Sequence, residues 1–292
     1  MATTDIYAQA YDLFKVWVKK YETFFFPLQD SLRRAHIQVP AEHWAAFTIL
    51  VGALAALPAL ILSIMFSVLF AGVKVQSIIF GFFIGCAIIA IAFLTAYYYP
   101  SIVAGERKKK IENALSFATI YMSTIARSGF PPQEIFRLLG SFKEYGEISQ
   151  ESTKIANDVS ALGLDMPAAL NRAVARSPSP DWTELLAGLK TTITVGGDLG
   201  SYLEEKAHGF VAEYRRKLKD FSNVLSLLVE IYITLVVVGV IFFIVTTSVM
   251  VSIGGISVEM VKVVNYLIVL VGMPLITISF ILIIKGISPL ED

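Results

Sequence analysis

The sequence predicts an all-α, polytopic membrane protein, with four transmembrane helices in two hairpins and one cytoplasmic six-helix bundle between them. Three observations carry that prediction. Of 292 residues, 55% are hydrophobic and only 16% charged, with a mean hydropathy of +0.67, which is too apolar for an ordinary soluble domain. Residues 45–71, 78–99, 231–251 and 263–284 are nearly free of charge, and each reaches the roughly 20 residues that cross a hydrocarbon core. Between the second and third of these stretches the chain turns polar and keeps a helical period, with no period-two alternation.

The first stretch contains Gly52 and Pro58, which a membrane helix tolerates better than a soluble one because neighbouring helices satisfy the freed backbone groups. The connections at 72–77 and 252–262 are short, so each pair of spans is a helical hairpin and both connections share one side. Basic residues decide which side. Lys15, Lys19, Lys20, Arg33 and Arg34 precede the first span and sixteen Lys and Arg lie between the second and third, whereas the short connections hold Lys74 and Lys262 alone. Excess Lys and Arg mark cytoplasmic segments, so the expected location is the cell membrane with both termini and the middle segment in the cytoplasm. Residues 1–40 hold no apolar core of the length a secretory signal needs, and targeting is expected from the internal spans.

The chain divides into a cytoplasmic or interfacial amphipathic N-terminal region (1–44), a first hairpin (45–99), a cytoplasmic helical domain (100–223), a second hairpin (224–284) and a short cytoplasmic tail (285–292). Residues 6–26 interleave aromatics with Lys15, Lys19 and Lys20, which suits either a helix lying among lipid headgroups or one packed on the protein's own cytoplasmic domain. In the middle domain, Ile111, Leu115, Ala118, Met122 and Ile125 step by three and four, as do Ile135, Leu139 and Phe142, and Ile155, Val159 and Leu162. Leu199, Leu203, Ala207, Phe210, Tyr214, Leu218 and Phe221 continue toward the third span without a proline, predicting one helix from 199 to about 251 that carries the domain into the membrane. Turn signals at 129–132, 163–165, 177–180 and 196–198 separate these helices: glycine ends one, Ser or Asp caps the next, and proline occupies its first turn.

Three stretches taken together resemble the domain shared by platform proteins of type II secretion, type IV pili and archaella. Arg127-Ser-Gly129-Phe-Pro131-Pro-Gln-Glu134 is similar to the family's Arg-x-Gly-x-Pro-x-x-Glu turn. Residues 158–170, the Ser-Pro pairs and Trp182 follow, and then Gly196-Gly197-Asp198-Leu199, with Leu203 and Glu204, matches Gly-Gly-x-Leu-x-x-x-Leu-Glu. The order of these motifs and their place between two hairpins look closest to archaeal platform proteins and to tight-adherence pilus relatives. The resemblance implies a scaffold that couples a hexameric secretion or assembly ATPase to the extraction and stacking of pilin or archaellin subunits. Longer members carry the domain twice; this chain carries it once, so an identical or paralogous platform subunit is among the implied partners, beside membrane lipids.

Catalytic signatures are missing from the sequence. No phosphate-cradling Gly-x-x-x-x-Gly-Lys-Ser/Thr occurs, the three histidines form no His-Glu-x-x-His pair, and no Gly-x-Ser-x-Gly elbow is present. The expectation is a non-enzyme without cofactor or metal, and the balance of 24 basic against 24 acidic residues gives no reason to expect nucleic acid. Cys86 reads as a buried small hydrophobe. At the start of a helix Asp198 would occupy the place of an anion, so its turn reads as a cap. The clusters Arg107, Lys108, Lys109, Lys110 and Arg215, Arg216, Lys217, Lys219 sit where domain meets membrane; they serve either topology and anionic lipid or an ATPase docking face. Glu230, at the edge of the third span, is a candidate polar contact or a snorkelling carboxylate. The competing functional reading is a membrane subunit of an ATPase-driven transporter, which broken spans and midplane polar residues would favour.

Overall fold

The computed structural model describes residues 2–20, 22–37, 39–71, 75–254 and 257–287. Every regular element among them is helical, and four stretches are long and apolar enough to cross a membrane, in agreement with the sequence. Tyr21, Lys74 and the rest of residues 72–74 in the first short connection, and the tail residues 288–292, lie outside the described residues. The chain forms two compact units, Met1–Leu203 and Glu204–Asp292.

In the first unit, α1 (Ala2–Lys20) and α2 (Glu22–Arg34) precede the hairpin of α3 (Ala41–Ala71) and α4 (Val75–Arg127). The hairpin closes along small residues. A Cβ placed on Gly81 would lie 2.9 Å from the Ser63 carbonyl, and one on Gly85 would lie 3.6 Å from the Ala59 carbonyl, so the backbones approach as small residues permit in membranes. The N-terminal helices pack on the start of the first hairpin. Ala10, Val18, Phe25, Leu28 and Leu32 share a buried cluster with Trp44, Ala45 and Ala46 at the start of α3, and the Trp44 indole N–H donates to the Ala96 carbonyl of α4 at 3.3 Å. Cys86 is exposed on the outer face of its span rather than buried.

Helix α4 carries the chain directly from the second span into the polar domain. It runs 53 residues through Pro100 without a break, so the second span and the first helix of the polar domain are a single rod of about 80 Å. Around its polar half fold α5 (Pro132–Ser141), α6 (Glu147–Ser160), α7 (Met166–Arg176), α8 (Pro180–Val195) and the first turn of α9 (Leu199–Ile233). The five α4 residues of the predicted stripe are all buried, beside Phe136, Leu139, Ile148, Leu170, Trp182 and Leu203. The predicted caps form: Asp165 accepts from the Ala168 N–H, Ser179 accepts from the Trp182 N–H, and Gly129, Gly163 and Gly196 take positive φ. Phe142 and Leu162 depart from their predicted stripes. Both fall just past a helix end and are exposed, and the 3₁₀ turn Lys143–Tyr145, closed by Gly146 at φ 52°, separates α5 from α6.

The second unit contains the rest of α9, then α10 (Gly239–Ser252), α11 (Val258–Leu267) and α12 (Met273–Ile287). The expected helix from 199 to about 251 runs from Leu199 to Ser252 and includes a π-helical turn at Thr234–Val238; Ile268–Gly272 form another between α11 and α12. Widened turns of this type concentrate at functional positions in helices. Close by, the Tyr232 hydroxyl lies 3.1 Å from the Thr277 hydroxyl, and its ring packs 4.8 Å from that of Phe280.

Candidate functional site

Two of the three sequence motifs meet in the first unit. Helix α4 ends at Arg127, Gly129 turns the chain at φ 79°, and Pro131 caps α5. Glu134, in the first turn of α5, takes both oxygens to the Arg137 guanidinium, with Nε at 2.8 and 3.0 Å. That hydrogen bond is the main reason its carboxyl titrates below the usual range. Gly196 ends α8 in the left-handed conformation, which only glycine adopts without strain. Gly197 packs close to Thr192, where a Cβ would lie 3.1 Å from its methyl.

Asp198 then starts α9. Its carboxylate accepts from the Ser201 hydroxyl at 2.5 Å and from the Gly200 N–H at 2.9 Å; these bonds, with a smaller contribution from the Arg127 charge, hold it in the ionised form. A carboxylate therefore occupies the anion position of this helix start. Gly200 brings the motifs together: a Cβ there would lie 3.1 Å from Arg127 Cγ, so the start of α9 rests on the end of α4. Leu199 is half-buried and Leu203 fully buried behind that contact. Tyr202 inserts its ring over Gly188 of α8 and donates to the Leu185 carbonyl at 3.2 Å. Glu204 follows, half-buried, 4.0 Å from His208.

The basic residues differ among themselves. Arg107 is not part of an exposed patch: it is buried and turned inward, bound to Glu147 at 2.9 Å, to Glu151 at 3.0 Å and to the Arg34 carbonyl. Lys108 is half-exposed and reaches Glu112 at 3.8 Å, while Lys109 and Lys110 are exposed. In the second unit Arg215, Arg216, Lys217 and Lys219 are all exposed, with Lys217 paired to Glu213 at 2.9 Å. Glu230 is exposed within the apolar stretch that includes α9.

A buried charge cluster was not singled out in the sequence. Glu151 of α6, 1% exposed in its side chain, meets Arg107 of α4 at 3.0 Å, Arg176 of α7 at 2.8 Å, His36 at 2.9 Å and Lys154 at 3.6 Å. Burial by itself raises its pKa, but the hydrogen bonds from His36 and Arg176 and their charges bring it down to about 2. Asp158, two helical turns on, meets Arg176 at 3.2 Å and Arg172 at 3.4 Å. The available signal was positional. Glu151 and Asp158 interleave with Ile148 and Ile155 at spacings of three and four, on the buried stripe rather than the solvent face.

A sequence profile described as type II secretion system (T2SS), protein F matches residues 118–247, from the last turns of α4 into α10. Those residues form a protein F domain. Arg127 to Glu134, Gly196 to Glu204, the α9 basic residues and Glu230 lie inside it; Arg107 to Lys110 and His36 lie before it. Two uncharacterized proteins of Methanocaldococcus jannaschii are similar to the chain. One is 24% identical over 168 residues, 58% of this chain and 28% of the relative. The other is 29% identical over 135 residues, 46% of this chain and 39% of the relative. The matches thus span well under half the length of either relative. No solved structure matches the chain. Among the described residues, no group of His, Cys, Asp and Glu could hold a metal ion.

Proposed function

We propose that the protein is the membrane platform of a type IV pilus-like, archaellum or type II secretion machine, coupling a cytoplasmic assembly ATPase to the extraction and stacking of pilin-like subunits. One observation carries the reading: a protein F domain joined to membrane-spanning stretches on both sides. On this reading both termini and the polar domain face the cytoplasm, the side favoured by the Lys and Arg distribution. The platform itself is not an enzyme; the ATPase supplies the energy. Exposed Lys108 to Lys110 and Arg215 to Lys219 are its proposed contacts with the ATPase and anionic lipid, while Arg107 belongs to the interior. Glu230 is proposed as a polar contact at the membrane edge.

The second reading, a membrane subunit of an ATPase-driven transporter, is favoured by the π turns at 234–238 and 268–272 and by the Tyr232–Thr277 pair near them. Co-purification of the tagged full chain from native membranes in mild detergent separates the two. Recovery of a hexameric assembly ATPase, lost when Lys108, Lys109, Arg215 and Arg216 are all changed to Glu, supports the platform. A transport-type ATPase with a substrate-binding protein contradicts it.

A further inference from the structure

We infer that Glu151 is the centre of a clasp that fastens the N-terminal helix pair to the helical domain, making Glu151 and His36 positioning residues for the first membrane hairpin. The last carbonyls of a helix lack intrahelical partners, and at the end of α2 the Arg34 carbonyl is taken by the Arg107 guanidinium. Two residues later His36 adopts φ 58°, an uncommon conformation for a non-glycine residue that the surroundings must impose. The imidazole bridges two α6 side chains. Lys154 Nζ lies 2.5 Å from Nδ1, and Nε2 donates to the Glu151 carboxylate at 2.9 Å.

The same carboxylate receives Arg107 from α4 and Arg176 from α7, so the chain after α2, α4, α6 and α7 converge on one buried group. An apolar residue at this register would pack as well or better; a buried charge requires its partners to arrive in one arrangement. Because α1 and α2 also pack on the start of α3, the clasp adds a second connection between hairpin and domain, beside the continuous helix α4. Its use in passing domain movement to the first hairpin rests on the platform reading. The existence of the clasp does not.

The test uses the full chain in mild detergent and needs no partner. Arg34 carries an exposed side chain, and its held carbonyl belongs to the bond that trypsin cleaves. Limited trypsin digestion compares cleavage after Arg34 with cleavage after Lys143, which lies in an exposed 3₁₀ turn outside the cluster. In Glu151→Gln and His36→Ala, cleavage after Arg34 is expected to rise about tenfold or more while cleavage after Lys143 stays constant, the pattern of a local opening. His36→Ala lies outside the domain core, so the test survives if Glu151→Gln does not fold. Unchanged cleavage after Arg34 in His36→Ala overturns the clasp, as does an equal rise at both sites. Failure here leaves ATPase co-purification untouched, and failure there leaves this digestion pattern untouched.

Discussion

The inner face of α6 and the first turn of α5 hold the same pair of residue types under opposite conditions. Glu151 and Glu134 each bind arginine, and each has its carboxyl held below the usual range. Glu151 is sealed among α4, α6, α7 and the turn after α2, whereas the Arg137 that holds Glu134 is 66% exposed in its side chain. Water screens the second pair and not the first, so a motif residue recognisable in sequence contributes little to the fold and an unremarked one contributes much. The difference teaches that depth, not pairing, sets what a carboxylate does here.

The comparison breaks most sharply at Glu151. Glu151→Ala takes the shared buried carboxylate from Arg107 and Arg176, which keep only Glu147 and Asp158, and is expected to cost about 3 kcal/mol of stability in denaturant titration of the solubilised chain. Glu134→Gln, measured the same way, is expected to leave the midpoint unchanged. Because the Glu151 pKa is depressed from 4.5 to about 2 in the fold, its contribution of about 3 kcal/mol is complete above pH 4.5 and lost as pH falls toward 2. Thermal unfolding between pH 6 and 2.5 should show that loss in the wild type, and a flatter profile in Glu151→Gln.

Next in size is the junction of α8 with α9. A methyl on Gly188 collides with the Tyr202 ring, so Gly188→Ala is expected to cost about 1–3 kcal/mol, recovered in part by the added change Tyr202→Ala. A smaller effect is expected at the exposed cap. Asp198→Ala removes the acceptor for Gly200 N–H and Ser201, and should lower the unfolding midpoint less than Gly188→Ala and more than Glu134→Gln.

Length and period were enough to read the membrane spans, the α4 stripe and the capping turns, because each depends on neighbours in sequence. The domain division drawn at residue 100 falls inside α4, which passes through Pro100; a proline costs a helix one donor and a turn of crowding, which local context can absorb. Glu151 was illegible for a different reason. A charge on a helix normally marks the solvent face, and only His36, Arg107 and Arg176, distant in sequence, show that this one points inward. The inward turn of Arg107, adjacent to three outward lysines, was hidden for the same reason. At the motif site, glycine spacing revealed the Gly196–Asp198 turn, but nothing local placed Gly200 against Arg127.

The most direct test of the platform reading is deletion of this chain in its native cell, with filaments counted on the surface and pilin-like subunits measured in the membrane fraction. The account predicts that subunits are made and inserted but accumulate in the membrane without filaments, and that the full chain restores assembly. Normal filament numbers, or a normal secreted pool, in the deleted cells would contradict it.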